Sequence, residues 1–450
     1  MALDLLLQRE LGDLAPQAFQ RLETTRLLHS FESTNIKFDG TSRASDAEND
    51  VVAHSAGVNS IAIDGHAGNY LVSGGADSSI SLWNLEDRCE SGSTRLVPND
   101  TLRKTSKAHR LGITHVSWHN SEPGAVLASS YDHSLKLYHT EPLRSVTTIE
   151  LDQVVYSHSM SPLERQRLVA IASHQQMVRL ADLRTGFAIH GLPGHTGSVL
   201  STAWSPKQEH ILASSGTDGT VRLWDIRRAS GCLGVLDMDD SLGVLGEDGL
   251  GSGARHRHVG RAHSEAANGV VWSEDGRHLV STGHDERVRV WDVITGANTL
   301  VNFGPTIKNQ SASQVLPLIS PDIFTAPGKQ LLFYPSDKEI LIFQLFDGKL
   351  LRRLKTPHIS TGTVGGSSRG RNLQNKTKSL AWRPHEVELY SAHTDGTIRF
   401  WAPRTIEDEL VKEEEREEAE HEEAVRKRKR DALEEIYQDF TSKRHMTYVE

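Results

Sequence analysis

Seven times along the chain an aliphatic residue is followed by an aromatic or small one and then, in most copies, by a polar one: LWN at Leu82, LYH at Leu137, LAD at Leu180, LWD at Leu223, VWD at Val290, IFQ at Ile342 and FWA at Phe400. The central positions are Trp83, Tyr138, Ala181, Trp224, Trp291, Phe343 and Trp401, separated by 55, 43, 43, 67, 52 and 58 residues. The shortest interval is the basal period, and the longer ones carry insertions. A repeat of that length constrains the fold more than any composition, because each unit is one small supersecondary element that cannot bury its apolar face alone and must stack on its neighbours.

Two further registers run with the first. Six residues before the central position stands a turn-forming Asp in six copies, Asp77, Asp132, Asp218, Asp285, Asp337 and Asp395, with Gln175 in the third. Between Asp and aromatic the segments alternate, as in DGTVRLW and DERVRVW, the period of a half-buried strand after a tight turn. Upstream, His54, His109 and His195 precede their aromatic by 29 residues and His263 by 28, while Ser73, Ser214, Ser281 and Ser391 lie four residues before their Asp. This pattern resembles the WD-repeat family, in which loop His, strand Ser or Thr, turn Asp and strand Trp form a hydrogen-bonded tetrad in each blade. The resemblance implies an all-β, seven-bladed β-propeller with tetrads His54–Ser73–Asp77–Trp83, His195–Ser214–Asp218–Trp224 and His263–Ser281–Asp285–Trp291. His, Ser and Asp that recur once per blade are architecture; a hydrolytic triad occurs once per domain. Blades three and six, with incomplete tetrads, are expected to be the softest.

The propeller is expected over 51–403, preceded by a helix-loop-helix over 1–31 and a linker over 32–50, and followed by a charged tail over 404–450, partly helical or disordered. The first segment carries Leu3, Leu5, Leu6 and Leu11, then Phe19, Leu22, Leu27 and Leu28, broken near Gly12 to Pro16. Those helices either pack on their own propeller or present a face to a partner groove. Insertions lie at 91–107, 235–262 and 359–373. The tail is acidic from Glu407 to Glu423, after which Arg426, Lys427, Arg428, Lys429 and Arg430 form a basic cluster, either a nuclear-localisation signal or the charge complement of the acidic run. Two cysteines, Cys89 and Cys232, build no disulfide framework or metal motif. The formal net charge of −9 gives no global pull toward nucleic acid or anionic membrane. No signal peptide or apolar span is read, so a soluble intracellular protein is expected.

Some strings serve no general repeat requirement. LWDIRR (Leu223 to Arg228) holds a WDxR arrangement, and ILASSGTDGTVRLWDIRRASGCL (Ile211 to Leu233), VVYSHSMSP (Val154 to Pro162), GANTLVNFG (Gly296 to Gly304) and RLETTRLL (Arg21 to Leu28) together resemble the Cockayne syndrome A family of WD-repeat receptors, over roughly residues 1–403. The insertions at 235–262 and 359–373 and the basic tail depart from that pattern. The resemblance implies a nuclear, non-catalytic substrate receptor of a cullin-4 ubiquitin ligase. Such a receptor docks on the adaptor damaged-DNA-binding protein 1 and acts in transcription-coupled nucleotide excision repair, with the Cockayne syndrome group B ATPase and stalled RNA polymerase II as partners. It needs no cofactor, metal or small-molecule substrate, and contributes proximity and orientation. The adaptor contacts expected are Trp224, Asp225, Arg227 and Arg184 with Leu5, Leu6, Phe19 and Leu22. On the opposite face the residues before each turn Asp are Ala76, Tyr131, Thr217, His284, Ser336 and Thr394, of which Tyr131 and His284 are the amphipathic candidates for substrate contact. Two other readings stay open: a scaffold of another nuclear complex, in chromatin or RNA processing, and a direct reader of damaged DNA, against which the net charge argues.

Overall fold

Each repeat folds as an antiparallel sheet whose third strand carries the aromatic position, because the Asp-led turn returns the chain and the alternating segment after it buries both faces between neighbouring sheets. The computed structural model describes residues 7–12, 15–40, 51–87, 95–104, 108–162, 167–228, 231–239, 260–311, 313–355 and 375–404. Blade 1 consists of Val58–Ile63, Tyr70–Gly75, Ile80–Asn84 and Asp100–Leu102; blade 2 of Ile113–Trp118, Ala125–Ser130, Ser134–Thr140 and Leu143–Glu150; blade 3 of Val155–Met160, Leu168–Ser173, Met177–Asp182 and Phe187–Pro193. Blade 4 consists of Val199–Trp204, Ile211–Gly216, Val221–Asp225 and Cys232–Leu236. Blade 5 has three strands, Ala267–Trp272, His278–Gly283 and Val288–Asp292, and blade 6 has Leu318–Ile319, Leu331–Pro335, Glu339–Gln344 and Leu350–Lys355. Blade 7 consists of Thr377–Trp382, Leu389–His393 and Ile398–Pro403, and its fourth strand is Phe31–Ser33 from the N-terminal region.

The first strand of each blade is innermost. Asn59 donates to the Ile113 carbonyl, Thr114 to that of Val155, and Ile61 N–H to Ser379 Oγ, so the ring runs from blade 1 round to blade 7 and closes. The apolar core is divided among the blade interfaces. Val72 and Leu82 of blade 1 share a cluster with Val116 and Tyr138 of blade 2, and Val280 and Val290 of blade 5 share one with Leu341 and Phe343 of blade 6. This is the seven-bladed propeller expected from the repeats.

The stretch expected to be a linker, 32–50, differs. Its first residues complete the blade-7 sheet, where Thr34 N–H donates to the Phe400 carbonyl at 3.0 Å, and Lys37–Phe38 pairs in parallel with Arg95–Leu96. Open sheet edges are costly, and borrowing a strand from the other end of the chain satisfies this one. Phe31, fully buried, packs edge-on against Phe333 and Trp382. Before it, Gly12 takes a left-handed φ of 81° that stops the first helical turn, and Pro16 opens a helix, Pro16–His29. Thr24 donates to the Phe324 carbonyl of blade 6, and Leu28 is fully buried against that blade, while Leu22 and Leu27 stay exposed. The helix therefore packs on its own propeller along one face and leaves another open. Contacts divide the chain into Met1–Ala402 and Pro403–Glu450. No described helix is long and apolar enough to cross a membrane.

Candidate functional site: the two faces of the propeller

The recurring polar residues prove to be scaffolding. In blade 4 the Trp224 indole donates to Ser214 Oγ at 2.8 Å, Ser214 bonds His195 Nε2 at 2.7 Å, and His195 Nδ1 lies 3.1 Å from Asp218. Blade 5 repeats this with Trp291, Ser281, His263 and Asp285 at 2.9, 2.8 and 2.9 Å. One tautomer satisfies the chain, with Nδ1–H donating to the carboxylate and Nε2 accepting from serine. In blade 1, Trp83 and His54 meet at Ser73 in the same way, but His54 Nδ1 reaches Ser79 Oγ at 2.7 Å and Asp77 stands off at 3.4 Å. Burial, the largest single influence, would raise these carboxyls; the neighbouring His together with hydroxyl, backbone or Arg289 hydrogen bonds outweighs it and holds Asp77 and Asp218 below the usual range and Asp285 at about 2.

The other blades depart from the pattern in different ways. Blade 2 has Ala128 at the serine position, leaving His109 Nε2 and the Tyr138 hydroxyl buried without a partner. Next to it, His158 of the YSHSMSP string bridges Ser117 at 2.8 Å and Ser129 at 3.1 Å, 4.7 Å from the ring of His115. Burial lowers the pKa of both imidazoles, that of His115 to about 4. In blade 7 the imidazole comes from His393, two residues beyond Ser391 on the same strand and 2.8 Å from its Oγ; burial, then Arg399, pushes its pKa to about 3. In blade 3, Gln175 accepts from Arg179 in place of the turn Asp.

A fourth register emerges only in three dimensions. The innermost strands of six blades each carry an irregularity one residue after their start, so that one residue stands out of register: Asn59, Thr114, Tyr156, Leu200, Asn268 and Lys378. They stand around the end of the central channel on the face that bears the Asp turns, Leu200 and Asn268 buried and the other four half-buried. The pre-turn residues dock beside them: Tyr131 N–H donates to Gly112 O, Thr217 to Ser198 O, His284 to Ala266 O and Thr394 to Lys376 O. Sequence reasoning missed this ring. Its signal was available, since the six residues stand 17 to 19 positions before the turn Asp, or Gln175, of their blade.

On this face Tyr131 is 39% exposed. It lies close enough to Tyr156 to raise that phenol's cost of ionisation, a smaller effect than burial, and Tyr156 bonds His174 at 3.1 Å. His284 is half-buried and its Nε2 bonds the Ser311 carbonyl at 2.9 Å, so it braces a loop. Ala76 and Thr217 are exposed, Thr394 is half-buried and Ser336 is buried.

At the other end of the third strands, Asp225 grips Arg227 through two parallel bonds, to Nε at 3.0 Å and Nη2 at 2.8 Å, with the guanidinium 63% exposed. Asp182 holds the Arg184 backbone N–H in the same turn of blade 3, and Arg184 is exposed. Trp224 and Asp225 correct the expectation of direct adaptor contact. Both are buried, the indole committed to its tetrad and the carboxylate to aiming Arg227, so neither has surface to offer. Phe19 is half-buried, with the Arg9 guanidinium 5.1 Å from its ring centre, and Leu22 is exposed. Leu5, Leu6 and the basic cluster Arg426, Lys427, Arg428, Lys429 and Arg430 lie outside the described residues, as do Cys89, most of the insertions and the tail.

Comparison with known families places these repeats. Residues 48–84, 100–139, 186–225 and 255–292 match the family model described as WD domain, G-beta repeat. The chain carries WD repeats. The matched segments of this WD-repeat chain fall on blades 1, 2, 4 and 5, which carry both loop His and turn Asp; blades 3, 6 and 7 have lost one or more of these residues. The chain is 27% identical to the WD repeat-containing protein ATCSA-1 of Arabidopsis thaliana, over 90% of its own length and 96% of that protein's. It is 26% identical to Radiation-sensitive protein 28 of Saccharomyces cerevisiae over 42% of this chain and 39% of the relative. It is also 26% identical to the ribosome biogenesis protein YTM1 of Phaeosphaeria nodorum, over 57% of this chain and 58% of that one.

Proposed function

We propose that this propeller is the substrate-recognition subunit of a cullin-4 ubiquitin ligase, docking on damaged-DNA-binding protein 1 and acting in the nucleus in transcription-coupled excision repair. The observation that carries the reading is Arg227. Its guanidinium is exposed yet pre-oriented by the buried Asp225, which leaves three of its five N–H groups for a partner without the entropy of searching for the geometry. The near full-length similarity to ATCSA-1 supports the same reading. On this view Arg227, Arg184 and the open side of the N-terminal helix, with Phe19 and Leu22, face the adaptor, and the channel mouth with Tyr131 faces the substrate. The chain itself performs no bond chemistry, since its His, Ser and Asp sets are spent on holding blades together.

Co-purification tests it. Wild-type chain should bring down the adaptor, and Arg227→Ala combined with removal of residues 1–30 should not; a wild type that brings down no adaptor sinks the proposal. A second reading, a scaffold in ribosome assembly, is favoured by the similarity to YTM1, although that covers only about half of each chain. It predicts co-sedimentation with pre-ribosomal particles and an adaptor-free wild type.

A further inference from the structure

Lys378 is a cation at the channel mouth whose ammonium is held directly by two hydroxyls. Its ammonium donates to Ser311 Oγ at 2.9 Å and Ser313 Oγ at 2.8 Å, and an ammonium has a third N–H to give. Among the described residues no carboxylate lies within 4 Å of it; the neighbouring Asp337 is taken by Lys376 at 3.1 Å. The side chain is half-buried; burial, then Lys376, lowers its pKa against the smaller opposing pull of Asp337. A partly desolvated ammonium whose direct partners are hydroxyls is costly, and the equivalent place in blade 4 is filled by the apolar Leu200. The rest of the ring, Asn59, Thr114, Tyr156, Leu200 and Asn268, is uncharged, so Lys378 is its one charged member.

We propose that Lys378, with Ser311 and Ser313, is the receptor for an aspartate or glutamate side chain of a protein partner that docks on the channel mouth. The carboxylate accepts the third N–H and brings a negative charge into direct contact with the ammonium, and the exposed Tyr131 beside half-buried Tyr156 provides an amphipathic anchor on the same face. A single cation in an uncharged ring does not track a phosphate backbone, which requires a row of positive groups. The proposal rests on the receptor reading only in taking this face as the substrate side.

The test uses the full chain as bait for a library of displayed random dodecapeptides. Selected peptides should be rich in Asp and Glu, and their affinity should fall at least tenfold for Lys378→Gln and for Lys378→Met, fall with added salt, and stay unchanged for the exposed Lys329→Gln. Lys378→Gln keeps an N–H donor for Ser311 and Ser313 and should fold with an unfolding midpoint close to that of wild type. The proposal is overturned if no peptide is enriched over the Lys378→Gln bait, if acidic peptides ignore the substitution, or if a single-stranded dodecanucleotide, and no peptide, shows the Lys378 dependence. Adaptor capture by Lys378→Gln should equal that of wild type. A wild type that selects acidic peptides but captures no adaptor refutes the ligase reading and leaves this site standing.

Discussion

Ser214 accepts the Trp224 indole N–H and bonds His195, so alanine there strands two buried polar groups at once. Each such group costs about 1–3 kcal/mol, and Ser214→Ala is expected to lower the unfolding free energy by roughly 2–5 kcal/mol in urea titration. Arg227 shows the opposite kind of residue, one whose worth lies outside the fold. Its exposed fork is held by Asp225 at 2.8 and 3.0 Å, and Lys cannot reproduce that planar geometry. Both Arg227→Ala and Arg227→Lys should weaken adaptor binding at least tenfold in a surface-binding assay, while Arg227→Lys, which keeps a cation beside the buried Asp225, leaves the melting temperature within a degree or two of wild type. A Lys variant that binds like wild type would reduce Arg227 to a point charge. The WDxR string pointed to this arginine but also to Trp224, and sequence alone could not separate them. Only burial shows that the indole faces inward and the guanidinium outward.

Among the elements, the N-terminal strand Phe31–Ser33 is the one that turns a row of sheets into a ring. Phe31 is fully buried between blades 6 and 7, and large-to-small changes at such aromatic sites cost about 3–5 kcal/mol. Phe31→Ala should destabilise the chain by that amount in denaturant titration, and amide exchange should quicken in Thr377–Trp382 and Ile398–Pro403 more than in blade 4. No change in blade 7 would mean that closure does not depend on this strand. Three residues give too short a pattern to be read as a strand, and their partner sheet lies at the far end of the chain, so this pairing was not legible. The helix was legible from Pro16 and its leucines, but which leucines it buries was not. Leu28 goes inward because Thr24 fixes the helix on the Phe324 carbonyl.

For the molecule as a whole, its buried imidazoles set the response to acid. Burial holds His115 at about 4 and His393 at about 3, and lowers His158 and His263 as well. Unfolded histidines titrate near 6.5, so between that pH and the folded values the unfolded chain binds protons that the native one refuses. Stability is therefore fully present above about pH 6.5 and declines as the pH falls toward 4. The tetrad carboxyls, depressed in the fold, add their loss only below about pH 4. The unfolding free energy from urea titration should drop between pH 7 and pH 5, and the drop should shrink by about 2 kcal/mol in His115→Leu, which has no proton to take up. A flat profile over that range would contradict the buried-imidazole account.

Repeat number, the position of each third strand and the membership of three tetrads could be read from residues a fixed distance apart, because turn, strand and hydrogen-bond partner all lie within about 30 residues of one another in each blade. What folding alone decided depends on residues brought together across the ring: the strand that closes blade 7, the replacement of a loop histidine by His393, the burial of Trp224 beside an exposed Arg227, and the gathering of Asn59, Thr114, Tyr156, Asn268 and Lys378 at one mouth. Local spacing encodes a blade. The channel mouth is made by stacking seven of them, and stacking is governed by which apolar faces meet and not by any string a single repeat contains.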